Sequence, residues 1–107
     1  MSRFPRGGMG NMMKQVQKMQ RQMEETQKRL EETITENSAG GGAVNVEING
    51  KNEIVNLTID KDVIDADDIE MLQDLIISAV NGAISKAKKH HDEEMQKITG
   101  GISIPGL

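Results

Sequence analysis

Residues 43–60, AVNVEINGKNEIVNLTID, decide the fold class. Val44, Val46 and Ile48 alternate with polar residues, and a second β-branched run extends from Glu53 to Asp60, the pattern of half-buried strands. Asn49, Gly50 and Asn52 between the runs favour turns, so the segment is expected to be a hairpin. A two-residue loop at Asn49-Gly50 would set Glu53 opposite Val46. A four-residue loop over 49–52 sets Val55 opposite Val46 and Leu57 opposite Val44. Register must keep apolar side chains on one face, so the longer loop is expected.

Working outward, TITENSAGGGA adds a strand before the hairpin and a glycine turn that joins them. The prediction is a three-stranded antiparallel meander with strands at about 33–37, 43–49 and 53–60. A helix precedes it, from about Asn11 to Glu31. Its seam is Met9, Met12, Val16, Met19, Met23, Thr26 and Leu30, in alternating steps of three and four. Such a helix is about 30 Å long. A second helix comes after the strands, with Asp67 expected as its N-cap and Glu70 three residues on. Its apolar band is Ile69, Leu72, Leu75, Ile76, Ala79, Val80, Ala83 and Ile84. From Lys86 to Lys97 it turns mostly polar, with Ala87, Met95 and Ile98 on a narrow seam, and Gly100-Gly101 end it.

The expected class is therefore α+β, an α-β-β-β-α protomer. The domain spans residues 11–99, with a flexible arm over 1–10 (MSRFPRGGMG) and a flexible tail over 100–107. Both helices reach further than three strands can cover. A homodimer is expected to cover the overhanging seams.

Charge is distributed unevenly. Residues 1–30 hold seven Lys/Arg against Glu24 and Glu25, net +5; residues 31–107 hold six against fifteen Asp/Glu, net −9. The sum of +5 and −9 is the chain's −4. Lys14, Lys18, Arg21 and Lys28 form a stripe on the first helix that points away from the seam and is interrupted by Glu25. With Arg3 and Arg6 on the arm, this makes a candidate phosphate-contacting surface on an acidic protein.

Other chemistry finds little support. The absence of cysteine excludes disulfides, thiolate zinc sites and thiol catalysis. HHDEE (90–94) stacks His90 over Glu94, but adjacent histidines point about 100° apart on a helix and cannot chelate together, so a solvated polar face is expected. DKDVIDADDIE puts an isoleucine at a ligand position of a calcium loop and lacks the loop's glycine. SAGGGA lacks the succeeding Lys-Ser/Thr of a phosphate loop, and NLT (56–58) is a glycosylation sequon on a strand expected to stay in the cytoplasm. No nucleophile–base pair is visible, so neither an enzyme nor a cofactor nor a small-molecule substrate is expected. The longest uninterrupted apolar run, such as LII (75–77), is far shorter than a membrane span, and no signal peptide is evident. Phe4 is the only aromatic, which disfavours base-stacking platforms for single strands.

Taken together and in order, GGMGNMMKQVQKMQRQMEETQKRLEE, GGGAVNVEINGKNEIVNLTID and DIEMLQDLIISAVNGAISKAKK…MQKITGGISIPG resemble the YbaB/EbfC family of nucleoid-associated proteins over residues 7–106. The resemblance implies a tweezer-like homodimer whose helices project from a shared sheet. It also implies cytoplasmic, nucleoid-associated binding of duplex DNA without catalysis or cofactor. By position it assigns DNA contacts to Lys14, Lys18, Arg21 and Lys28 on the first helix and to Lys86, Lys88 and Lys89 on the second. The alternative is a non-enzymatic, chaperone-like dimer that holds a protein partner along the Met-rich seam.

Overall fold

The computed structural model describes the backbone of residues 6–99 and the side chains of residues 10–99. The element order is α1 (Arg6–Glu32), β1 (Thr35–Ala39), β2 (Val44–Ile48), β3 (Ile54–Ile59), a 3₁₀ turn at Lys61–Val63, and α2 (Ile69–Thr99). The strands form one antiparallel meander in the order β1-β2-β3. The expected α-β-β-β-α class is therefore what is seen. The helix expected from Asn11 starts at Arg6, so the arm predicted over 1–10 contains its first turn; residues 1–5 and the tail over 100–107 lie outside the described residues.

The hairpin register differs from the expected one by two residues. Val46 pairs with Leu57 and Val44 with Ile59, rather than with Val55 and Leu57. Two local features cause this. The Asn49 side chain organises a longer turn: its Oδ1 accepts from the N–H groups of Lys51 and Glu53, and its backbone N–H donates to the Glu53 carbonyl at 3.0 Å. Then Glu47 pairs with Asn56 but Ile48 with Ile54, which leaves Val55 as the extra residue of a bulge. The apolar residues still share one face, as the alternation required. The first strand starts at Thr35, two residues later than expected, because Thr33 ends α1: its N–H donates to Leu30 O (3.1 Å) and its hydroxyl to Arg29 O (2.9 Å).

The hairpin turn seats the C-terminal end of α1. Gly50 N–H donates to Glu31 O at 3.1 Å, which satisfies a helix-end carbonyl. A Cβ on Gly50 would overlap the Leu30 carbonyl, so only glycine lets the turn come this close.

Helix α2 is capped by Asp68, not by the expected Asp67. The Met71 N–H donates to Asp68 Oδ1 at 3.2 Å, while Asp65 accepts from the Asp67 N–H with its Oδ1 and from the Asp68 N–H with its carbonyl. The helix crosses the sheet on the β1–β2 side. Asn37 Nδ2 donates to Ala79 O (3.0 Å), Lys86 Nζ donates to Glu36 O (3.2 Å), and a Cβ on Gly82 would overlap the Asn37 amide. The core beneath is Val44, Val46, Ile48, Ala79 and Ala83, all fully buried. Small alanines let α2 lie close on β-branched residues; none of the core is aromatic.

Among the described residues no comparable layer covers β3. Leu57 and Ile54 stand opposite the buried Val46 and Ile48, yet are 41% and 52% exposed. Around α2, the flank away from Gly82 and toward β3 carries Val80, Ile84 and Ile77, and Ile77 is exposed. An apolar trough thus lies open between that flank and β3.

Candidate nucleic-acid interface

Beyond the sheet, α1 and the second half of α2 run antiparallel. Met23 lies near Met95, His91 Nε2 hydrogen-bonds Gln27 Oε1 at 3.1 Å, and Arg29 Nη2 reaches Glu94 Oε1 at 3.2 Å. Lys97 Nζ binds the other Glu94 oxygen at 2.7 Å. HHDEE is solvated at His90, Asp92 and Glu93, as expected, but not at Glu94, whose side chain is only 11% exposed, nor at His91, which is half-buried. The Lys97 hydrogen bond, aided by Arg29 and opposed by desolvation, holds the Glu94 carboxyl below its ordinary value of 4.5. His91 and Glu94 of that segment therefore clasp the arms. No group of three His, Asp or Glu among the described residues is placed to hold a metal ion.

The seam of α1 is covered only along its inner part. Leu30 is buried and Thr26 and Met19 are half-buried, but Val16 and Met12 are 53% and 67% exposed. Coverage stops where α2 stops, at Thr99.

On the opposite side of α1, Lys14, Lys18 and Arg21 are exposed, and none takes part in an ion pair among the described residues. No carboxylate occurs between residues 10 and 23. The three cations span about 10 Å along the helix, or about three phosphates of one DNA strand at 3.4 Å rise each. Lys28 shares their face but sits two turns nearer the sheet, beside Glu24 and Glu31. Arg29, the last cation of this helix, is engaged by Glu94.

The second-helix candidates are only partly brought together. Lys86 is anchored to the Glu36 carbonyl. Lys88 lies about 200° round the helix from it and lines a 250 Å³ cleft with Gln27, Thr33, Asn52 and His90. Lys89 is exposed about 60° round the helix from Lys86, one turn further on. Arg3 lies outside the described residues, as does the side chain of Arg6.

The densest group of acidic residues sits elsewhere. Residues 60–74 carry seven carboxylates against Lys61, a local charge of −6, around the start of α2. From Asp74 to the end of α2 is about 37 Å along the helix, several times the ~8–10 Å screening length of physiological salt. The acidic pole is thus electrostatically remote from the α1 stripe. This reconciles a net charge of −4 with a basic arm.

An α+β chain with a projecting, one-sided basic helix is the kind of architecture that suits a small nucleic-acid-binding protein. Residues 6–102 match the YbaB/EbfC DNA-binding family, and the chain belongs to that family. It is 56% identical to a nucleoid-associated protein of Alkaliphilus metalliredigens, over 92% of this chain and 87% of that one. It is 54% identical to a nucleoid-associated protein of Desulforamulus reducens, over 94% and 96% of the two chains. The fold also resembles the crystal structure of an uncharacterized Helicobacter pylori protein, with TM-score 0.60 and 27% identity over 73% of this chain and 90% of that one. Among the described residues no helix is long and apolar enough to cross a membrane.

Proposed function

We propose that this chain binds duplex DNA as a homodimer, in the cytoplasm with the nucleoid, through phosphate contacts made by α1, and so affects nucleoid organisation and gene expression. The observation that carries the reading is the set of three exposed cations at Lys14, Lys18 and Arg21, unpaired among the described residues, on a carboxylate-free stretch of projecting helix. The name of the family and the nucleoid-associated names of its members support DNA as the partner. Arg3, Arg6, Lys28, Lys86, Lys88 and Lys89 are secondary contacts in this reading. Phosphate contact alone gives binding that is insensitive to sequence, and no base-reading constellation accompanies it among the described residues.

Dimerisation closes the open trough. Leu57 and Ile54 of β3 and Val80, Ile84 and Ile77 of α2 are apolar residues in a row that a single copy leaves wet. A second copy related by a twofold axis covers that strip with the same strip. Two basic arms then project from one body.

The test is a gel-shift series with duplex DNA of unrelated sequences across rising salt, paired with sedimentation equilibrium. The expected result is retardation of all duplexes, release as salt rises, and a dimer at micromolar concentration. The double change Val80→Glu and Ile84→Glu is expected to dissociate or unfold the dimer, because it places charges in the strip. A stable, folded monomer of the unaltered chain overturns the dimer. Absence of salt-sensitive retardation overturns the DNA reading and favours a protein partner.

A further inference from the structure

The 250 Å³ cleft opens where three elements meet: the C-terminal end of α1, the hairpin turn and the second half of α2. Its apolar lining is the buried Leu30, the half-buried Ala87 and Ile84. Its charged lining is basic. On the α2 wall His91 is flanked by Lys88, about 60° round the helix to one side, and by His90, about 100° to the other. Among the described residues no aspartate or glutamate lines the cleft, although residues 31–107 hold fifteen Asp/Glu against six Lys/Arg.

The carboxylates nearest in the chain are turned elsewhere. Glu31, Glu32 and Glu53 line a separate depression with Lys51, and Glu94 is held by Arg29 and Lys97. Asp92 approaches the lining, its Oδ1 3.6 Å from His91 Nδ1. Hydrogen-bond donors remain available in the cleft. His91 Nε2 is engaged with Gln27, but among the described residues the Lys88 ammonium, the His90 ring and the Asn52 side-chain amide have no partner. The turn holds Asn52 in place: its N–H donates to Asn49 O at 3.1 Å, and its φ of 61° is one that few residues other than glycine adopt.

An ammonium, an imidazole N–H and an amide around one cleft match an anion with several acceptor oxygens. The cleft is smaller than the roughly 300–1,000 Å³ of most small-molecule sites, so it suits a phosphate group with a small body attached. Gln27 and Leu30 lie on the side of α1 opposite Lys14, Lys18 and Arg21, so DNA phosphates held by the stripe do not reach it. We propose that the cleft binds the phosphate group of a small phosphate monoester, or inorganic phosphate itself, between Lys88 and His90, with Asn52 donating from the turn. Bound there, the phosphate links α1, the hairpin turn and α2 where the clasp begins. The site stands on the cleft alone and holds whether or not the stripe binds DNA.

The test is an NMR titration of the full chain with inorganic phosphate and, separately, with ribose 5-phosphate, each against sodium chloride at matched ionic strength. The expected result is saturable shifts at Asn52, Lys88 and His90 that chloride does not produce, with residues 14–21 unmoved. Lys88→Ala/His90→Ala should weaken binding by about tenfold or more. Lys61→Ala removes the same lysine charge on the 3₁₀ turn and should leave binding unchanged. The three replaced side chains are exposed, and circular dichroism checks that both variants fold. As an independent readout, phosphate should raise the melting temperature of the unaltered chain more than that of the double variant. Shifts that do not saturate, shifts matched by chloride, or undiminished binding by the double variant overturn the site. A response to duplex DNA and to neither small phosphate also overturns it, since the cleft then belongs to the DNA footprint.

Discussion

The inner and outer parts of α1 belong to one continuous helix but are constrained differently. From Met23 to Glu32 the helix is fastened on three sides: Gly50 caps its end, Leu30 is buried, and the Arg29–Glu94–Lys97 and Gln27–His91 contacts clasp it to α2. From Gly10 to Gln22 the side chains are exposed apart from the half-buried Met19, and the cations there are unpaired among the described residues. Residue type alone does not separate the two parts, since each carries arginine, lysine and apolar residues at helical spacing. Partners separate them. Arg29 and Arg21 are eight residues apart; one is a structural tie and the other is available to a ligand.

This comparison can be broken at its fixed end first. Replacing Gly50 by Val drives a side chain into the Leu30 carbonyl, and a loss of about 3 kcal/mol in urea unfolding is expected. Unchanged stability would show that the turn does not anchor the helix. Leu30→Ala should cost about 2 to 4 kcal/mol. At equal protein concentration Val16→Ala should stay within about 0.5 kcal/mol. Equal costs would mean that the outer seam is buried in the assembly as deeply as the inner one.

Acid provides a gentler perturbation. Glu94 titrates below its ordinary value in the folded chain, so its contribution is present above that value and is lost as pH falls through the lowered one. Exchange at residues 24–30 should therefore rise on acidification to below pH 4.5 more than in a Glu94→Gln variant, whose clasp is already weakened. If the two respond alike, other carboxylates govern the acid response.

Much of the fold was legible because its signals are local. The alternation in Val44–Ile48 and the Asn/Gly turns establish a meander, and the 3–4 spacing from Met12 to Leu30 establishes a helix with a seam. The hairpin register was not legible. The parity of Val44 and Val46 is compatible with either partner two residues apart, and the Asn49 side-chain bonds and the Val55 bulge chose between them. The cap moved from Asp67 to Asp68 because two adjacent aspartates are equivalent in sequence, and the turn in which Asp65 accepts from both of their N–H groups leaves the Asp68 carboxylate facing the Met71 N–H. At the site, Lys14, Lys18 and Arg21 emerge together, as their spacing requires. The clasp at His91 and Glu94 was missed. Its signal was available in part: aligning the Leu30, Thr26 and Met23 seam against Ala87 and Met95 in antiparallel sense brings Gln27 to His91, and the long Arg29 side chain then spans about five residues along the helix to reach Glu94.

If unpaired cations on the outer part of α1, and not the clasped one on its inner part, contact DNA, the two sets must differ in their effect on binding. The direct measurement is duplex-DNA affinity against salt for the Lys14→Ala/Lys18→Ala/Arg21→Ala chain beside Arg29→Ala, with both shown to keep the oligomeric state of the unaltered protein. Each lost phosphate contact should flatten the slope of log affinity against log salt by about 0.9. The triple variant should therefore bind every duplex more weakly and with a shallower slope, while Arg29→Ala keeps the original slope. A triple variant with unchanged affinity and slope, or an Arg29→Ala chain that loses as much, would contradict the assignment of DNA contact to the outer helix.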